Sequence, residues 1–159
     1  MTITFAGAAQ EVTGSCYHLQ TKSGQFLVDC GLFQGSRFAA EENQKQFPFD
    51  PKKIDFILLT HAHLDHCGRL PLLYERGFIG KVFCTDPTAQ LTMIVLEDAC
   101  RIMTETSEDE GIEPLYLEQH VFAVRSHFER YRYHQSFEPK PGIKVEFFDA
   151  GHIDRKSVV

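Results

Sequence analysis

Apolar and polar positions alternate through the first third of the chain and then give way to helical spacing. Ile3 to Ala6 is a short apolar run. Ser15 to Thr21 alternates, Lys22-Ser23-Gly24-Gln25 interrupts it, and Phe26 to Val28 resumes it. Two short strands around a glycine-containing loop predict a β-hairpin. Gly31 and Gly35 end the second strand. Ser36 to Gln46 then reads as a partly exposed helix, stopped by Pro48 and Pro51. Ile54-Asp55-Phe56-Ile57-Leu58-Leu59 is almost unbroken apolar sequence, as expected of a strand buried on both faces.

Beyond it, Gly68 opens a short helix with Leu70, Leu72, Leu73 and Tyr74, which Gly77 closes, and Lys81 to Cys84 is a short strand. Thr85-Asp86-Pro87 is a helix start, with a capping oxygen just ahead of a first-turn proline. Leu91, Ile94, Val95, Ala99 and Ile102 recur at spacings of three and four, which predicts a buried stripe. The acidic run Glu105 to Glu113, with Glu108, Asp109 and Glu110, reads as a solvated loop between two helices. Pro114 opens the next helix, through Tyr116, Leu117, Val121, Val124 and Phe128. Pro139-Lys140-Pro141-Gly142 is a turn, and Ile143 to Phe148 is a half-buried strand that delivers Asp149-Ala150-Gly151-His152. This order predicts a mixed sheet covered by helices, an α/β layered domain.

Length limits the chain to one domain, and no repeat or linker divides it. No apolar run is long enough to span a bilayer, and the first residues lack the basic and apolar regions of a signal peptide. Five cysteines form an odd set without a CxxC pair, which suits reduced thiols in a cytoplasm. The expectation is a cytoplasmic protein with no membrane partner. A net charge of −6 argues against a nucleic-acid platform over the whole surface, although the acidic excess lies in the first 113 residues.

The chemistry concentrates in Thr60-His61-Ala62-His63-Leu64-Asp65-His66, straight after the buried apolar run. A strand end is a rigid mount for metal-binding and catalytic groups. Neutral imidazoles suit zinc and similar ions, and a carboxylate adds charge. In extended chain, residues two apart point to one side, so His61 and His63 can grip one ion. Asp65 and His66 follow the turn and can face a neighbouring ion; two ions about 3.5–4 Å apart form the clamp used in phosphoryl displacement. His152 also follows a strand: it is either the third ligand of the first ion or an ordinary turn histidine. Asp29 is either the acceptor that orients a ligand histidine or a turn aspartate. Cys67, beside the cluster, reads as a small buried hydrophobe rather than a ligand. His18, His120, His127 and His134 lack such context and are expected at the surface or an interface.

Together these residues resemble the metallo-β-lactamase superfamily, and within it the β-CASP branch of RNA- and DNA-processing nucleases. The likeness is carried by residues 5–16 (FAGAAQEVTGSC), 27–35 (LVDCGLFQG), HAHLDH with Cys67-Gly68-Arg69-Leu70-Pro71, then Cys84-Thr85-Asp86-Pro87-Thr88 and Asp149-Ala150-Gly151-His152-Ile153. It implies an αββα sandwich of two sheets between helix layers and a site for up to two zinc ions at one edge. RNA is the implied substrate, its phosphodiester bonds cut by a metal-activated water. His61, His63 and His152 match the ligands of one zinc. Asp65 and His66 match ligands of the other and carry the catalytic role, and Asp29 matches the supporting aspartate. The same fold hosts thioesterases and lactamases as well.

The sequence departs from the branch after Ile153: a metal-bridging aspartate and the nucleic-acid-clamping cap domain have no counterpart. The expectation is therefore one partial domain over residues 1–159, the N-terminal half of the sandwich. A non-catalytic role is the alternative, with a homo-oligomer or partner covering the incomplete sheet.

Overall fold

A computed structural model describes every residue except 36, 37, 112, 154–156 and 159. Its centre is a six-stranded sheet in the order β1-β2-β3-β4-β5-β6. The strands are β1 (Thr2–Gly7), β2 (Cys16–Gln20), β3 (Gln25–Val28), β4 (Phe56–Leu58), β5 (Lys81–Thr85) and β6 (Phe128–Tyr131). The first three form an antiparallel meander, and β3 to β6 run parallel. The expected hairpin joins β2 to β3, and its turn closes through Thr21 N–H to Gly24 O at 2.8 Å.

Alternation along the central strands sorts side chains between two cores. Leu27, Ile57, Val82 and Cys84 point into the larger cluster, under the helices. Phe26, Phe56, Leu58 and Phe83 point the other way, against Ile143, Val145 and Phe147. Ile57, Leu58 and Leu59 are wholly buried, as the apolar run predicts for a strand covered on both sides. The strand itself is shorter than the run: Pro51–Lys53 forms a 3-10 turn, and Ile54 caps it.

The helical layer holds α1 (Ala39–Gln44), α2 (Leu64–Cys67), α3 (Leu70–Glu75), α4 (Asp86–Glu110) and α5 (Glu118–Ser126). The start of α4 is the predicted one: the Thr85 side chain accepts from Thr88 N–H, with Pro87 in the first turn. Its end is not. The acidic run expected to be a loop from Glu105 continues as helix to Glu110. Helix breaking waits for Gly111, which takes the left-handed conformation at φ 68°. The expected stripe is also displaced: Ile94 and Ile102 are exposed, while Ala89, Met93, Leu96 and Cys100 are buried. Thr88 and Thr92 lie on the buried side as well, so a stripe read from large aliphatics alone is rotated.

The predicted helix from Pro114 to Phe128 is only α5, with Val121 and Val124 buried. Phe128 begins β6, which pairs with β5 and gives the sheet its parallel edge. The segment expected as one strand over Ile143 to Phe148 divides. β8 (Ile143–Val145) pairs with β7 (Phe137–Lys140), and β9 (Phe148–Asp149) pairs with β10 (Ser157–Val158). Among the described residues these two ribbons are what stands for a second sheet. Near β1 and β2 the sheet face lies open in a groove of about 550 Å³, where Ile3 and Phe5 are exposed. Among the described residues no helix is long and apolar enough to cross a membrane.

Candidate metal centre

The β-strand ends carry the site. Asp29 N–H donates to Leu58 O and Leu59 N–H donates to Phe83 O, both at 2.9 Å, which ties the segments leaving β3, β4 and β5 together. Past Leu59 no regular element forms before His63, which is itself extended (φ −65°, ψ 142°), and α2 then makes a single helical turn. His61 and His63 point to one side: Nε2 of His61 is 3.1 Å from Nδ1 of His63. From the far end of the chain, His152 brings its Nε2 to 3.0 Å from the same Nδ1. One nitrogen from each of the three rings lies within 4.8 Å of the other two. His61 is buried, His63 half-buried and His152 exposed, so the cluster opens to solvent on the His152 side.

Three converging imidazole nitrogens with an open side fit a divalent transition ion. The ligand type is right, and three protein donors leave a position for water or substrate. Aspartate and cysteine are absent from this group. Asp65 and His66 lie together on α2, with Asp65 Oδ2 3.6 Å from His66 Nε2. The His66 ring centre is 4.0 Å from that of His61, which makes this pair a neighbouring set of donors.

Asp29 organises both sets from below. It is almost fully buried and holds a left-handed backbone conformation (φ 61°), which aspartate tolerates better than most residues. Its Oδ1 accepts from Thr60 N–H at 2.8 Å, and its Oδ2 accepts from Thr60 Oγ1–H at 2.8 Å. The same Oδ2 faces His66 Nδ1 at 2.7 Å. Asp29 is thus a residue of left-handed backbone whose carboxylate also touches an imidazole.

Cys67 is buried, its thiol donates to Ala62 O at 3.5 Å, and it packs within the larger core. Burial first, then the charges of Asp29 and Asp65, push this thiol far above its ordinary range. Among the remaining histidines, His18 departs from expectation. It is buried, with its ring 5.0 Å from that of Phe49 and Nε2 3.1 Å from Gln25 Oε1. His120 and His127 sit at the start and end of α5, and His134 lies against Phe148.

Two contributors carry no site assignment from sequence. Thr60 Oγ1 is 2.9 Å from His61 Nδ1, and a hydroxyl directly before the first histidine was the available signal. Gly31 lets the loop after β3 touch α2: Cys30 N–H donates to His66 O and Leu32 N–H to Leu64 O. A Cβ on Gly31 would fall 1.6 Å from Asp65 O.

Comparison with known proteins agrees with this architecture. The family model of the metallo-beta-lactamase superfamily matches residues 9–99. The chain belongs to this superfamily. Ribonuclease TTHA0252 of Thermus thermophilus is 40% identical over 159 residues, all of this chain and 34% of that protein. Transcription termination factor FttA of Methanocaldococcus jannaschii is 34% identical over 95% of this chain and 23% of its own length. An RNase J-like protein of the same organism is 31% identical over 95% of this chain and 31% of its own. The chain thus spans about a third or less of the curated relatives it matches. A solved B3 metallo-beta-lactamase with an active-site glutamic acid shares the fold, with a TM-score of 0.53 at 20% identity over 92% of this chain and 50% of that one.

Proposed function

We propose that this chain is the metal-binding part of a zinc-dependent hydrolase that cuts RNA phosphodiester bonds. The observation that carries the reading is the convergence of His61, His63 and His152, residues from two distant segments, on one point. Relatives named as a ribonuclease and an RNase J-like protein support RNA as the substrate, and the sequence likeness to the β-CASP branch points the same way. In this reading His61, His63 and His152 hold one zinc, and Asp65 and His66 hold a second. When bound, zinc supplies Lewis acidity, which acidifies water and draws charge from a phosphate. The protein's own part is orientation. Asp29 fixes the His66 ring by accepting at Nδ1, which leaves His66 Nε2 turned toward Asp65. In the same reading the Asp65 carboxylate would orient the attacking water and take its proton.

The test is cleavage of labelled RNA by the purified chain. Cleavage should vanish with chelator, return with zinc and be absent in His61→Ala. Chelator-insensitive cleavage, or full activity in that variant, contradicts the proposal.

One observation favours a second reading. The open sheet face around Ile3 and Phe5 suits a further polypeptide, a second copy or a partner, with the chain itself serving only to bind metal. Zinc binding without RNA cleavage, together with a mass by light scattering that rises with concentration, would favour it.

A further inference from the structure

We infer that Thr60 is a positioning residue that couples Asp29 to His61, so that one carboxylate sets the imidazoles on both sides of the centre. The inference rests on the reading of His61, His63 and His152 as a metal site.

The Asp29 carboxylate only accepts, and its Oδ2 lies 2.8 Å from Thr60 Oγ1. The single hydroxyl proton of Thr60 must therefore lie on that line, since two bare oxygens at that distance would repel. Thr60 Oγ1 is also 2.9 Å from His61 Nδ1. With its proton spent on Asp29, the hydroxyl oxygen can only accept there, so His61 carries its proton on Nδ1. That tautomer presents Nε2 as a lone pair, and Nε2 is the atom facing His63. His66 is set by the same oxygen of Asp29 through its own Nδ1.

The Asp29–Thr60–His61 part of this chain of bonds is shielded from competing water, while His66 is partly exposed. Thr60, His61 and Asp29 are each at least nine-tenths buried. The Thr60 backbone N–H holds the other carboxylate oxygen, so the carboxylate cannot rotate away. Outer partners that orient ligand histidines in this way are worth about 10–100-fold in metal affinity.

Two measurements test it. Zinc affinity by chelator competition should fall about 10–100-fold in Thr60→Val, which keeps the shape and loses the hydroxyl, and should be retained in Thr60→Ser. Nitrogen-15 imidazole NMR of the metal-free wild-type protein should show His61 protonated at Nδ1. Equal affinity in Thr60→Val, an equal loss in Thr60→Ser, or protonation of wild-type His61 at Nε2 would overturn the inference. The tautomer measurement needs no variant, so it decides even where Thr60→Val fails to fold. Failure of the wild-type chain to bind zinc at all would strike the underlying metal reading instead.

Discussion

His152 Nε2 lies 3.0 Å from His63 Nδ1, although 89 positions separate the two residues. Between them run α2, α3, β5, α4, α5 and β6 to β9, so the contact is made by the fold and not by local sequence. His152→Ala removes one of the three converging nitrogens without opening a core, because the residue is exposed. The expected outcome is a loss of zinc affinity beyond the roughly 10–100-fold typical of removing an outer partner. Unfolding of the metal-free protein should shift by no more than about 0.5 kcal/mol. Chelator competition and urea denaturation check the two parts.

Gly31 is the contact point between the loop after β3 and α2. Gly31→Ala places a methyl group 1.6 Å from the Asp65 carbonyl oxygen, so the backbone of Asp65 and His66 must move. This variant should lose both stability and metal binding, whereas Gly35→Ala, with open space around it but φ 78°, should lose stability alone. Thermal melts with and without zinc separate the two outcomes.

The two faces of the molecule should respond unequally to the loss of isoleucine. Ile57 is wholly buried in the central strand, and Ile57→Ala should cost about 2–5 kcal/mol. Ile94 is 64% exposed on α4, and Ile94→Ala should change stability by about 0.5 kcal/mol or less. Urea titration of both variants checks the corrected face of that helix.

Much of this arrangement is legible in the sequence, and the reasons differ by element. The run Ile54 to Leu59 reports a strand covered on both faces, because only central parallel strands bury every side chain. The spacing of His61 and His63 reports their shared side, because extended chain repeats every two residues. Other features are illegible for physical reasons. Phe128 sits at a helical spacing from Val124, yet sheet pairing to β5 takes it. The acidic end of α4 looks like a loop because its residues are solvated, but it contains no residue that breaks a helix before Gly111. His18 has no motif around it, and its burial follows from pairing between β2 and β3. His152 is the clearest case, since spacing leaves it either a ligand or a turn residue and only the folded path of the chain brings it to His63.

Alkaline pH should unfold the protein through its buried thiols and phenols. Contact with Cys30 and burial raise the Cys16 thiol well above 9.0, and burial raises the Cys67 thiol. Burial also raises the Tyr74 and Tyr116 phenols above 10.0. The folded state holds these protons more tightly than the unfolded state does. Their contribution is therefore fully present below pH 9 and is lost as pH climbs beyond it. Urea denaturation from pH 7 to pH 11 should show stability falling above pH 9, with thiol reagents inactive until unfolding.

The central claim is that imidazoles from two distant segments of the chain enclose a common cation. Anomalous scattering at the zinc edge, from crystals grown with zinc, tests it most directly. The account predicts a peak bounded by His61 Nε2, His63 Nδ1 and His152 Nε2. Crystals equilibrated with zinc that show no peak there, or that show the three rings turned apart, would contradict it.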